Sequence, residues 1–178
     1  MNEKTSHEYK QVMSSCKALF AKKTHDYGTA WRVLRLPSIT DQIFIKAQRI
    51  RSIQEKGMQK VDDPVQDEFI GIINYCIIAM VQMGLTNSEN LDLTWNELEL
   101  LYDKAASETF DLLQNKNHDY GEAWREMRVS SMTDIILMKL LRVKQIEDNQ
   151  GKTLASEGVK ANYQDILNYC VFCLIKLN

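Results

Sequence analysis

The residues best equipped for chemistry occur twice in this chain. Lys23-Thr24-His25-Asp26-Tyr27-Gly28-Thr29-Ala30-Trp31-Arg32 returns 93 residues later as Lys116-Asn117-His118-Asp119-Tyr120-Gly121-Glu122-Ala123-Trp124-Arg125. Downstream, each copy sets a lysine and an arginine one helical turn apart, Lys46 with Arg49 and Lys139 with Arg142. The lysines fall on apolar stripes, Ile43, Ile50 and Ile53 in one copy and Ile136, Val143 and Ile146 in the other. An unpaired ion so placed costs on the order of several kcal/mol, so these cations need partners. A carboxylate would serve, with Asp26 and Asp119 at hand. So would a ligand phosphate, gripped together with Arg32, Arg35 and the turn after the His-Asp-Tyr-Gly run. The sequence leaves both open.

The other repeated side chains divide in the same way. His25, Asp26, His118 and Asp119 adjoin a glycine, where polar groups either cap the chain or serve a site. Tyr27, Tyr120, Trp31 and Trp124 read as core anchors or as rings for a base. Asp41 and Asp134 each end a Ser-x-x-Asp run and read as helix caps. Asn74 and Asn168 lie among Ile, Tyr and Cys, where a buried amide must be hydrogen-bonded, across an interface or on a bound base.

The elements that carry these residues are helical. Periodicity is 3.6 throughout, strand alternation is absent, and only two prolines interrupt 178 residues. From Lys23 to Arg49 the copies agree at 15 of 27 positions, where average composition gives roughly one in fifteen to twenty. After one inserted residue they realign, Ile72-Ile73-Asn74-Tyr75-Cys76 against Ile166-Leu167-Asn168-Tyr169-Cys170. This predicts an all-α tandem duplication, each unit made of three long helices and a short one, packed about a pseudo-twofold axis. The repeats span 1–86 and 94–178, with 87–93 as linker. First helices are expected over about His7–Lys22 and Trp95–Gln114, the latter opened by a Thr94/Glu97 capping box, with the His-Asp-Tyr-Gly runs breaking each helix. Second helices open at the Ser-x-x-Asp caps. Last helices cover about Asp63–Met83 and Glu157–Leu177.

Composition excludes several classes. A formal charge of −2 supplies no field for DNA or acidic membranes, so no strong nucleic-acid footprint is expected. The apolar runs are shorter than the ~20 residues a membrane span requires. No secretory leader is expected from Met1-Asn2-Glu3-Lys4. Cys16, Cys76, Cys170 and Cys173 lie within helical patterns, which predicts buried, reduced thiols and a cytoplasmic location.

Lys-x-His-Asp-Tyr-Gly-x-Ala-Trp, then Lys-x-x-Arg, then Asn-Tyr on the last helix, resemble the nucleotide-modification-associated domain once known only as a domain of unknown function. The resemblance covers both halves. More loosely, the chain is similar to the MazG-like all-α nucleoside triphosphate pyrophosphatases. It implies a MazG-like helical fold and a nucleotide or other phosphate-bearing small molecule as partner. The ligand-binding set would be His25, Asp26, Tyr27, Arg32, Lys46 and Arg49, with His118, Asp119, Tyr120, Arg125, Lys139 and Arg142. MazG-like enzymes hold magnesium (Mg2+) on Glu-x-x-Glu and Glu-x-x-Asp helices. Here Lys46-x-x-Arg49 replaces the first pair. The second is split into Glu68-x-x-Gly71 and Asn162-x-x-Asp165.

Three functions follow from these residues. One is nucleotide binding through the His-Asp-Tyr-Gly segments and the Lys/Arg pairs. Another is metal-dependent pyrophosphohydrolysis, with magnesium on Glu68, Asp165 and either Asp41 or Asp134. The third is a non-catalytic helical module whose repeated ions are internal salt bridges. The catalytic residues, and the pairing of two chains as a homodimer, are left open.

Overall fold

The computed structural model describes residues 1–57, 64–155 and 157–178, the side chains of His118 and Tyr120 excepted. Six long helices account for most of them: α1 (Glu3–Tyr27), α2 (Leu36–Lys56), α3 (Val65–Gly84), α4 (Trp95–Tyr120), α5 (Val129–Asp148) and α6 (Val159–Leu177). Single 3₁₀ turns, Ala30–Val33 and Ala123–Glu126, join α1 to α2 and α4 to α5. No strand occurs among the described residues.

The starts of α1 and α4 are fixed locally. Asn2 accepts from the Thr5 N–H at 2.7 Å, and Thr94 and Glu97 form the expected capping box. Both helices outrun expectation at the other end. His25, Asp26 and Tyr27 complete the last turn of α1 instead of breaking it. Only the next residue stops it: Gly28 takes φ +60° and sends its N–H back to the Thr24 carbonyl, and Gly121 does the same in α4. The Ser-x-x-Asp expectation is corrected too. α2 begins at Leu36 behind Arg35, with Pro37 in its first turn, where a missing N–H is no loss. α5 begins at Val129 behind Arg128. Asp41 and Asp134 therefore lie inside their helices. At the start of α3, Pro64 precedes the first helical residue, and Asp63 lies outside the described residues.

The aspartates pair across the molecule. Asp41 meets Lys144 and Asp134 meets Arg51 at 3.7 Å. These contacts are images of each other under the 93-residue offset. The same holds for Thr40 donating to Glu147 at 2.7 Å and Gln54 donating to Thr133 at 3.0 Å. Thus α2 and α5 cross antiparallel about a pseudo-twofold axis, and the chain is a tandem duplication.

α3 and α6 form the centre. Ile72, Ile73 and Ile77 of the first, and Ile166, Leu167 and Val171 of the second, are wholly buried. The outer helices are exchanged between halves: α1 packs more on α6 than on α3, and α4 more on α3 than on α6. Tyr9 donates to Asn168 at 2.8 Å and Tyr102 to Asn74 at 3.1 Å. The amide oxygens are thus satisfied across the interface between halves, while the Asn74 nitrogen donates to the Cys16 carbonyl at 3.0 Å within its own half. All four cysteines are free and buried, and burial pushes the Cys16 and Cys173 thiols up to about 12. None of them serves as a thiolate near neutrality. No helix of the described residues is long and apolar enough to cross a membrane.

Candidate functional site

Each half holds a cleft between the end of its first helix, its 3₁₀ turn and the facing sides of its two other long helices. The first cleft, about 710 Å3, is lined by Lys23, Tyr27, Trp31, Lys46, Asp67 and Tyr75, among others, with Gly71 in its floor. The second, about 450 Å3, is lined by Lys116, Trp124, Lys139, Asp165, Tyr169 and Phe172, among others. Most of these residues correspond by the repeat. The charged lining of the first is two lysines against one aspartate. That of the second is two lysines against Glu157 and Asp165.

Three of the four paired cations, Lys46, Arg49 and Lys139, find protein acids, though not Asp26 or Asp119. In the first half Glu68 bonds to Arg49 and, at 3.2 Å, to Lys46. The second Arg49 terminal nitrogen, Nη2, is buried without an acceptor among the described residues. In the second half Asp165 takes Lys139 at 2.6 Å and Lys116 at 2.7 Å. Partial burial works against the Lys116 charge, yet the Asp165 bond outweighs it and the pKa rises. Lys23, the counterpart of Lys116, is exposed and makes no ion pair among the described residues. Arg142 is likewise exposed and outside every described ion pair.

The repeated arginines do other work. Arg32 is buried and donates to the carbonyls of Asn90 at 3.1 Å and Ser88 at 2.9 Å, and to Gln82. It clamps the segment leading to α4. Arg125 holds Glu8 at 2.6 Å and Glu122 at 2.9 Å and lies over the Trp124 ring, fixing the start of α1. Partial burial opposes its charge, but these carboxylates raise its pKa further. Thr5, Arg125 and Asn117 hold the Glu122 carboxyl below its ordinary value despite some desolvation. Neither arginine lines a cleft.

His25 and Asp26 stand on the surface, 3.6 Å from each other, with side chains 90% and 62% exposed. Tyr27 sits at the rim of the first cleft, 72% exposed. Asp119 is exposed at the end of α4. The side chains of His118 and Tyr120 lie outside the described residues.

The split acidic pair does not suit magnesium. Glu68 and Asp165 each already face two cations, so neither carboxylate is left to neutralise a divalent ion. Asp41 and Asp134 are occupied in the pairs between halves. No group of three or more His, Cys, Asp or Glu side chains able to hold a metal gathers among the described residues.

Two pairs of cleft positions lie outside the motif and differ between the copies, Gly71/Asp165 and Ile78/Phe172. Their signal lay in aligning the copies at 94 residues beyond the insertion and asking where they differ. Trp31 shows why that matters. It is only half-buried and no ring stacks on it among the described residues. Its counterpart Trp124 is 5% exposed and lies flat on Phe172, centroids 4.2 Å apart at 7°.

Among known proteins, a family model described as nucleotide modification associated domain 1 matches residues 23–83 and again residues 116–177. No curated protein and no solved structure gives a match.

Proposed function

Because the chain belongs to the nucleotide modification associated domain 1 family, matched in both its halves, we propose that it is a nucleotide-binding protein. The observation that carries this reading is the first cleft, where two lysines and the rings of Trp31 and Tyr75 converge on about 710 Å3 of open space. An excess of positive charge in a partly walled site attracts phosphate. Aromatic faces beside it take a base by stacking. Lys46 is the contact for phosphate, held in place by Glu68, which Arg49 anchors in turn. Tyr27 borders the opening, with His25 and Asp26 beside it to meet the outer part of the ligand.

A structural role is favoured for Arg32 and Arg125, whose donors are spent on the backbone and on protein acids. Pyrophosphohydrolysis has less support, since Glu68 and Asp165 face lysines rather than a metal-sized gap. Titration calorimetry with nucleoside mono-, di- and triphosphates, with magnesium and with a chelator, tests the reading. The expected result is binding that does not depend on the metal and is weakened by Lys46→Met. Heat from none of these nucleotides would overturn it.

A further inference from the structure

The two clefts are built alike but filled differently, and the filling of one describes the ligand of the other. Resting on the nucleotide-binding reading, we propose that the chain has a single ligand site, in the first half. It takes a nucleoside monophosphate with its phosphate between Lys23 and Lys46 over Gly71 and its base on Trp31. The second cleft is narrowed by its own Asp165 and Phe172, which stand where that phosphate and base would lie.

The second half supplies the template. Lys116 and Lys139 close on one carboxylate at 2.7 and 2.6 Å, the distances of charge-assisted bonds. Phe172 lies parallel to Trp124 at 4.2 Å, the geometry a nucleobase takes on an indole. Asp165 and Phe172 share one face of α6, seven residues apart. An anion and a flat ring are therefore presented together to two lysines and a tryptophan.

The first half keeps the lysines and the tryptophan and lacks both fillers. Position 165 corresponds to Gly71 and position 172 to Ile78. A Cβ placed on Gly71 would stand 3.1 Å from Cδ and Cε of Lys46 and 3.4 Å from its Nζ. The ammonium therefore lies against bare helix where its counterpart meets a carboxylate. Its bond to Glu68 is longer, at 3.2 Å, and Lys23 has no acid in any described pair. One carboxylate, held by both lysines, is the protein's own stand-in for one phosphate, which selects the monophosphate.

The test is titration calorimetry of the full chain with AMP, GMP, CMP and dTMP, with their di- and triphosphates, and with inorganic phosphate, in the absence of magnesium. At least one monophosphate should bind with one equivalent per chain. Gly71→Asp/Ile78→Phe, which copies the second half into the first, should weaken it by about tenfold or more, the worth of a lost charge-assisted contact. Circular dichroism should be unchanged and Tm should not fall. Asp165→Gly/Phe172→Ile, which opens the second cleft, should move the stoichiometry towards two. Should Gly71→Asp/Ile78→Phe fail to fold, Lys23→Gln, at an exposed residue, replaces it with the same expected loss. Two equivalents in the unaltered chain would overturn the proposal. So would an affinity indifferent to these changes, or binding of di- or triphosphates alone. In each case nucleotide binding itself would stand, whereas silence from every nucleotide would remove the reading beneath it.

Discussion

The halves share a frame and part company on one helix. α3 presents Gly71 and Ile78 to its cleft, and α6 presents Asp165 and Phe172. Around these positions both halves keep two lysines, a tryptophan on a 3₁₀ turn and a tyrosine. One carboxylate and one ring narrow the cleft from about 710 to about 450 Å3: Lys139 is 12% exposed where Lys46 keeps 27%, and Trp124 is buried where Trp31 is not. Persistence of a motif in two copies therefore does not mean that both copies retain its use. The frame needs the tryptophan and the glycine that ends the helix, whatever the cleft holds.

Stability measurements can break or sharpen this comparison. Phe172→Ala should cost about 4 kcal/mol, because the ring is buried on Trp124. Ile78→Ala should cost about 2 kcal/mol, because the hole it leaves opens onto water. Equal losses in urea unfolding would mean that the clefts are equally closed. Next in size, Asp165→Ala should cost about 3 kcal/mol, since it strands Lys139, whose side chain is only 12% exposed, and lower Tm by about 6–12 °C. Glu68→Ala should cost about 1 kcal/mol, because Lys46 and Arg49 keep 27% of their side chains in solvent. Adding Lys139→Met to Asp165→Ala should recover much of the loss.

The shared frame predicts equality instead. Tyr9→Phe and Tyr102→Phe each remove a buried hydrogen bond to an asparagine and should cost about 1 kcal/mol apiece. A large difference would show the pseudo-symmetry to be superficial. The smallest effect concerns Glu147, whose counterpart is Gln54. Desolvation first, then Asp41 and Asp148, raise the Glu147 pKa above 4.5, against the hydrogen bonds of Thr40 and Tyr163. The folded chain thus holds this proton more tightly than the unfolded one, so stability falls as pH rises above about 4.5. Glu147→Gln should add about 0.5 kcal/mol at pH 7 and nothing once the pH is low enough to protonate the carboxyl in both states. Thermal unfolding across that range reads the difference.

Much of the frame was legible in the sequence because periodicity and repetition are local or self-referential. The all-helical class, the duplication, the Thr94 cap, the buried cysteines and the need of Asn74 and Asn168 for partners all follow from residue type and spacing. The partners of the cations did not. Lys46 finds Glu68 and Lys139 finds Asp165 on a neighbouring helix, and only the angle between helices decides which acid comes within reach. The Ser-x-x-Asp runs misled for a related reason. Capping depends on where a helix begins, and Pro37 with the 3₁₀ turn before it starts α2 upstream of Ser38. Arg32 was unreadable as a clamp, because its acceptors are carbonyls of a linker that carries no pattern.

The exchanged outer helices reach further than packing. Tyr9 completes the amide of Asn168, and Tyr102 completes that of Asn74. Severed from its twin, either half would bury a carboxamide oxygen with no donor and leave its central helix uncovered on one side. The chain should therefore melt in one cooperative step rather than two. Separately expressed fragments should stay largely unstructured until mixed, when each supplies the other's missing wall.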